Sequence, residues 1–422
     1  MDSSAFTFTY FFCALLVAGL IVRTVLASRQ VRHVVRHRDQ VPEAFAGRIG
    51  LDAHQKAADY TVAKARFGML EAAIEAALLI GWTLMGGLNA LNQFLLSLMG
   101  PGLWQQLALM AGFALIGGLL TLPMGWYLTF RIEERFGFNK MGLGLWLVDH
   151  VKGALVGALI GLPIVALVLW LMGTTGPTWW LWAWGVWMVF NLALLVLYPT
   201  VIAPLFNKFE PLQDEGLKAR VNALMQRCGF AAKGLFVMDG SKRSAHANAY
   251  FTGFGAAKRV VFFDTLLKQL SPPEIDAVLA HELGHYKRHH IVQRIGLMFG
   301  LSLAGFALLG WASREAWFFV GLGVVPSLEA PNDALALLLF LMVIPLLSYF
   351  LSPLMAQLSR RHEFEADAYA SAHTDGGDLA SALLKLYKDN ASTLTPDPVY
   401  ARFYYSHPPA SERIARLQGA PV

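Results

Sequence analysis

Ser271-Pro272-Pro273-Glu274-Ile275-Asp276-Ala277-Val278-Leu279-Ala280-His281-Glu282-Leu283-Gly284-His285 is the stretch from which the rest of the chain is read. Ser271 followed by Glu274 has the spacing of a helix capping box, with proline at the first helical position. Ile275, Val278 and Leu279 then recur at helical spacing, so a helix is expected to run into His281–His285. Two histidines at i and i+4 project from nearly one helix face, about 40° apart. Both imidazoles can therefore reach one Zn²⁺, and Glu282 falls beside the metal-activated water, where a general base is needed. The plainer reading is a solvated helix end continuing into Lys287, Arg288, His289 and His290. It leaves the cap and the apolar stripe unexplained.

Composition places this helix in a membrane protein. Of 422 residues, 56% are hydrophobic and 15% charged, and the mean hydropathy is +0.47. That is too apolar for an ordinary soluble enzyme. The two cysteines, Cys13 and Cys228, suggest no disulfide framework. A formal net charge of +5, with no basic stripe, fits membrane-flanking Lys and Arg and gives no sign of nucleic-acid binding. The absence of a repeat argues against a duplicated transporter.

Seven apolar runs are long enough to span a bilayer, at 6–25, 67–88, 107–128, 151–172, 179–202, 295–311 and 334–356. Only Asp2 precedes the first in place of a positive leader region, so it reads as a retained anchor. The first loop carries Arg29, Arg32, Arg36, Arg38, Arg48, Lys56, Lys64 and Arg66, and the third carries Arg131, Arg135 and Lys140. The second and fourth carry no Lys or Arg, and the sixth only Arg314. The positive-inside rule then puts the odd loops and the C-terminal tail in the cytoplasm. Glu71 and Glu75 read as paired with Lys64 or Arg66 at the cytoplasmic end of the second span.

Catalytic zinc usually has three protein ligands and an open position. A third histidine of the extended metalloprotease motif is absent, since Arg288 and Ile291 stand at its positions. His289 lies too far along the helix. The tail segment Ser359-Arg360-Arg361-His362-Glu363-Phe364-Glu365-Ala366-Asp367 offers carboxylates, and Glu363 and Asp367 are one turn apart. One could bind the metal while the other orients a histidine from outside. Geometry alone does not choose between Glu363 and Glu365. Short strands are expected at 234–239, 248–251 and 259–263, with Gly253 and Gly255 permitting a turn. A sheet edge beside the zinc helix would let an extended peptide add as a strand, with Asn248 clamping its backbone.

The chain resembles the type I CAAX prenyl endopeptidases, integral-membrane zinc proteases. The likeness rests on Arg135-Phe136-Gly137-Phe138-Asn139-Lys140, Pro204-Leu205-Phe206-Asn207-Lys208-Phe209 with Pro211-Leu212, and Asn248-Ala249-Tyr250. It continues through Phe263-Asp264-Thr265-Leu266-Leu267, the His281–His285 motif, Glu363 to Asp367, His407-Pro408-Pro409 and Glu412-Arg413-Ile414. The resemblance implies Glu363 as third zinc ligand beside His281 and His285, with Asp367 outside it. It also implies Glu282 as catalytic base, His407 as a donor to the oxyanion with Arg413 in support, and Asn248 on the substrate backbone. It further implies helices enclosing a large chamber and a prenylated C-terminal peptide as substrate. A quality-control membrane metalloprotease shares the motif, but usually with fewer spans.

The expected architecture is thus an all-α integral membrane protein of about seven transmembrane helices, with a small α+β zinc-protease domain on the cytoplasmic side. Its pieces are 1–206, five membrane helices; 207–293, the protease domain; 294–357, helices six and seven; and 358–422, the tail that completes the site. One Zn²⁺ per chain, a peptide or lipidated protein substrate and the lipid bilayer are the expected partners, and no oligomeric state is legible. The expected location is a bacterial inner membrane, or the ER membrane for a eukaryotic source.

Overall fold

A computed structural model of the protein describes residues 3–230, 234–252 and 259–419, with only the backbone of 251 and 252. The N-terminal half contains α1 (Ser3–Arg36), α2 (Leu51–Trp82), α3 (Gly87–Met99), α4 (Leu103–Tyr127), α5 (Leu143–Thr174), α6 (Trp179–Leu197) and the short α7 (Ala203–Phe206). A polar segment follows: β1 (Phe209–Pro211), α8 (Glu215–Arg227), β2 (Gly234–Met238), β3 (Ala249–Thr252), β4 (Arg259–Phe263), α9 (Asp264–Gln269) and α10 (Pro272–Lys287). The chain returns to apolar helices in α11 (His290–Ala312), α12 (Ala316–Val320) and α13 (Asp333–Tyr349). It ends in α14 (Ser352–His373), α15 (Gly376–Asp389), α16 (Pro398–Tyr404) and α17 (Ala410–Leu417).

Five helical stretches are each long and apolar enough to cross a membrane: Ser3–Arg36, Leu103–Glu133, Leu143–Thr174, Gly176–Phe206 and His290–Ala312. Two bent pairs qualify when joined, α2 with α3 at 46° and α13 with α14 at 62°. With each pair counted as one span, the described residues offer seven candidate crossings, the number expected. Side chains such as Leu155, Leu159 and Val189 stand exposed along α5 and α6, as lipid-facing helices require.

Each break has a local cause. Between α2 and α3 the chain turns through Gly86, whose φ of 78° lies in the left-handed region that glycine enters at little cost. Pro345 lies inside α13, and a second proline occupies the first turn of α14. The second helix begins at Leu51, well before the expected start at 67, because α1 and α2 continue as a pair beyond their apolar runs. Arg38 joins them by a bidentate contact to Asp59, at 2.7 and 2.9 Å. Glu75 pairs with Arg23 of α1 at 3.3 Å and not with Lys64 or Arg66; Lys64 lies 3.8 Å from Glu133 instead. For Glu75 the expectation failed because the partner comes from a neighbouring helix, which spacing along one helix does not reveal.

The sheet runs β1-β2-β4-β3. β2 and β4 are parallel, with Gly234 opposite Arg259, and β3 pairs antiparallel to β4, leaving it on the edge. β1 was not expected, being three residues ending in proline, too short to show alternation. The expected turn at Gly253 and Gly255 lies outside the described residues. Below the sheet, Val260, Phe262 and Leu266 share a core with Leu279 and Leu283 of α10, Ala370 of α14 and Leu379 of α15. The tail therefore packs into the same core as the polar segment, which fixes α14 against α10.

These two helices pack tightly at Gly284. A Cβ there would lie 3.0 Å from the Ala366 Cα and 3.1 Å from its carbonyl oxygen. Backbone cannot yield as a flexible side chain can. Gly284→Ala is therefore expected to cost about 1–3 kcal/mol in stability and to lower the melting temperature and the retained metal together. A variant melting like wild type would show that the helices are free to separate.

Candidate metal centre and active site

α10 is anchored where the sequence placed its cap. The Ser271 N–H donates to Glu274 Oε2 at 2.7 Å, and Pro272 opens the helix. Lys385 and Ser381 of α15 hold the two Glu274 oxygens, each at 2.7 Å. So the cap that starts the helix also docks it, and its apolar stripe is buried under the sheet. The opposite end then presents His281 and His285 with their Nε2 atoms 3.2 Å apart.

α14 brings Glu363 across from them. Its Oε1 is 3.2 Å from His285 Nε2 and its Oε2 3.5 Å from His281 Nε2. One ligand atom from each of the three lies within 4.8 Å of the others. Ligand atoms at tetrahedral corners with bonds of about 2.0–2.2 Å stand roughly 3.3–3.6 Å apart, so the spacing fits zinc. Glu363 Oε2 is buried and has no hydrogen-bond partner, an orphaned acceptor that a cation would satisfy. Glu365, the alternative on the same helix, turns away and meets His290 at 3.1 Å.

Asp367, one turn beyond Glu363, sits 2.8 Å from His281 Nδ1. Its carboxylate therefore accepts a hydrogen bond from Nδ1–H, the tautomer that leaves Nε2 free for a metal. Arg413 of α17 grips Asp367 with Nε at 2.8 Å and Nη2 at 2.6 Å, and its Nη1 is 3.6 Å from Glu363. All four of these residues are buried. With neutral imidazoles, two carboxylates face one guanidinium, and a dication would offset the surplus negative charge. Burial alone would raise the Glu363 carboxyl, but the two imidazoles beside it hold it well below the usual carboxylate range. Burial likewise opposes charge on His281, yet contact with Asp367 and Glu363 prevails, and its pKa is pushed up to about 9.

Glu282 lines a cavity of about 690 Å³ together with Asn248, His281, His285, Glu363 and His407. Enclosure pushes its carboxyl up from the ordinary value, in the direction a proton acceptor working near neutrality needs. His407 Nε2 is 3.4 Å from Glu363 Oε1, and Ser406 Oγ is 3.0 Å from its Nδ1. Its ring is accessible to water yet walled by protein, and that burial lowers its pKa. Arg413 also reaches this cavity, but most of its donors are already engaged with Asp367. Asn248 is exposed, immediately before the edge strand β3, and its carbonyl accepts the Phe263 N–H at 3.0 Å.

A second cavity of about 940 Å³ adjoins the first through Ser352, Tyr404, Ser406 and His407. Its wall includes Tyr60, Tyr349, Tyr387 and Tyr400, none of which the sequence reading singled out. Tyrosines scattered over four helices leave no periodic trace. His290 was missed too, although the His289-His290 doublet directly after the motif was its signal.

A family description, CAAX prenyl protease N-terminal with five membrane helices, matches residues 30–208, and peptidase family M48 matches residues 211–420. A rice CAAX prenyl protease 1 homolog is 34% identical over 95% of each chain. CAAX prenyl protease 1 of Saccharomyces cerevisiae is 37% identical over 74% of this chain and 72% of its own. The crystal structure of S. mikatae Ste24p superposes with a TM-score of 0.89 at 32% identity, covering 97% of this chain and 98% of that one.

The raised His281 pKa has a thermodynamic consequence. Below about pH 9 the metal-free site holds a proton on His281, and a metal must displace it. Zinc affinity should therefore rise with pH, by about tenfold per unit for each proton released. Competition titrations between pH 6 and 8 test this, and an affinity flat across that range would show that metal binding displaces no proton from His281.

Proposed function

The chain belongs to peptidase family M48, a family of zinc metalloendopeptidases, joined to the CAAX prenyl protease N-terminal membrane region, and from that premise we propose that it cleaves prenylated C-terminal peptides at a site built on His281, His285 and Glu363. The observation that carries the reading is this triad with Glu282 beside it, at the wall of a cavity that continues among the membrane helices.

A zinc ion held by the three ligands would act as a Lewis acid on the scissile carbonyl and acidify a water. Asp367 and Arg413 keep His281 in the one tautomer that can ligate. Glu282 accepts a proton from the attacking water as its oxygen bonds to the carbonyl carbon. It then returns that proton to the amide nitrogen as the C–N bond breaks, giving a carboxylic acid and an amine; the acid then loses its own proton, which the amine takes up. Negative charge that develops on the carbonyl oxygen is met by a donor from His407 at the cavity wall. The substrate backbone extends along β3, with Asn248 bonding its main chain. The adjoining cavity, bordered by α1 and α2, suits a substrate with a lipid tail.

We take residues 207–293 and 358–422 as the two parts of the catalytic unit, set between membrane segments 1–206 and 294–357. The concentration of Lys and Arg in the first and third loops supports a cytoplasmic face for the site. For a bacterial source the membrane would be the inner membrane; the eukaryotic relatives give the ER membrane equal standing.

Purified wild type and Glu282→Gln would be assayed on a farnesylated C-a-a-X peptide and on its unprenylated twin. Wild type should cleave, lose activity to a chelator and regain it with zinc, while Glu282→Gln loses about 10²–10⁴-fold in kcat. Equal rates for the two proteins would sink the mechanism, and equal rates on the two peptides would remove the lipid from the specificity. In the same assay His407→Ala should lower kcat about 10²–10³-fold and leave KM nearly unchanged, whereas Asn248→Ala should act mainly on KM.

A further inference from the structure

His281 is oriented by Asp367, but among the described residues no carboxylate neighbours the outer nitrogen of the other histidine of the motif. What stands there is a third histidine. His285 Nδ1 lies 3.0 Å from Nδ1 of His290, and His290 Nε2 lies 3.1 Å from Glu365 Oε2. We infer that His290 and Glu365 are positioning residues for the metal centre, forming a carboxylate–histidine–histidine chain that fixes the tautomer and orientation of His285.

The protons admit one arrangement. His285 points Nε2 at the cluster, so a neutral His285 carries its hydrogen on Nδ1 and donates it outward. His290 Nδ1 must then be the acceptor, which puts the His290 hydrogen on Nε2, where the Glu365 carboxylate accepts it. This assignment follows from the network of contacts, each link having one donor and one acceptor. A carboxylate at the far end strengthens His290 as an acceptor and, through it, the basicity of the ligating nitrogen. Asp367 does the same for His281 in one step; here the carboxylate is one ring further away.

The chain is built to hold that geometry. α10 ends at Lys287, and His289 takes a left-handed backbone with φ 58° and ψ 26° before α11 begins at His290. A non-glycine residue in that region is uncommon, and its strain persists only where surrounding contacts demand it. The reversal folds His290 back under His285 and buries it to 2% exposure. His362, which precedes Glu363, stacks on the His290 ring at 4.0 Å and 9°, and its Nε2 is 3.1 Å from Gln293 Oε1. Arg361 holds the second Glu365 oxygen at 3.0 Å. The relay thus ties the start of α11 to α14, the helix that carries the third ligand.

The inference rests on His285 being a metal ligand. The test is zinc affinity, by competition with a chelator on the full chain in detergent, for wild type, His290→Ala, His290→Asn and Glu365→Gln. The visible absorption of the cobalt-substituted proteins reports the ligand field independently of activity. His290→Ala should bind zinc about 10–100-fold more weakly and shift the cobalt bands. His290→Asn, which keeps an acceptor near Nδ1, should recover most of the affinity, and Glu365→Gln should lose severalfold. Wild-type affinity and spectrum in His290→Ala and Glu365→Gln would overturn the relay while leaving the ligand set standing. A wild type that binds no zinc would overturn both. If His290→Ala does not fold, Glu365→Gln decides alone, since that side chain is partly exposed and its loss leaves the ring stack in place.

Discussion

The active site depends on one contact: the crossing of α10 and α14 where Gly284 meets the Ala366 backbone. Neither helix holds a complete site. α10 supplies two imidazoles and the proposed base, and α14 supplies the carboxylate that would make them a three-ligand set. The helices pass so closely that no side chain fits between them, which puts Glu363 opposite both histidines. The residue between Glu282 and His285 on that face is therefore glycine for a steric reason, while its neighbours are chosen for chemistry.

Charge then has to be managed in a space that excludes water. Glu363, Asp367 and Arg413 are all buried, and each alone would cost several kcal/mol. Their arrangement leaves an excess of negative charge facing two imidazole nitrogens, with one Glu363 oxygen unpartnered. A site of this kind is incomplete as an all-protein structure, and a cation held by His281, His285 and Glu363 would complete it. Arg413 comes from the last helix, so the buried cluster also draws the end of the chain onto its middle.

The membrane region does more than anchor. α1 runs past its apolar stretch, where Arg29 pairs with Asp397 at 3.1 Å and Gln30 Oε1 accepts the Asp397 N–H at 2.7 Å. Asp397 in turn caps α16, and the segment after α16 carries His407. The first membrane helix is therefore linked to the residue proposed to meet the oxyanion. Cavities on both sides of His407 share Tyr404 and Ser406, so the site opens toward the membrane helices as well as toward the sheet edge.

Much of this was legible in the sequence because it is local or periodic. The cap at Ser271, the helical spacing of His281 and His285, seven apolar runs and three of four strands all follow from residues within a few turns of each other. The choice between Glu363 and Glu365 was not legible from spacing, since both lie on one helix and only the direction of approach by α10 separates them. Nor was the pairing of Glu75 with Arg23, the grip of Arg413 on Asp367, or the approach of His290 to His285 through a left-handed residue. These contacts join segments distant in the chain or reversed by a single backbone angle, and no local preference encodes them. Residue types and their periodicity set which chemical groups are available and on which helices they lie. Tertiary packing decided which of them meet, because burial against a shared core sets the crossing of α10 and α14.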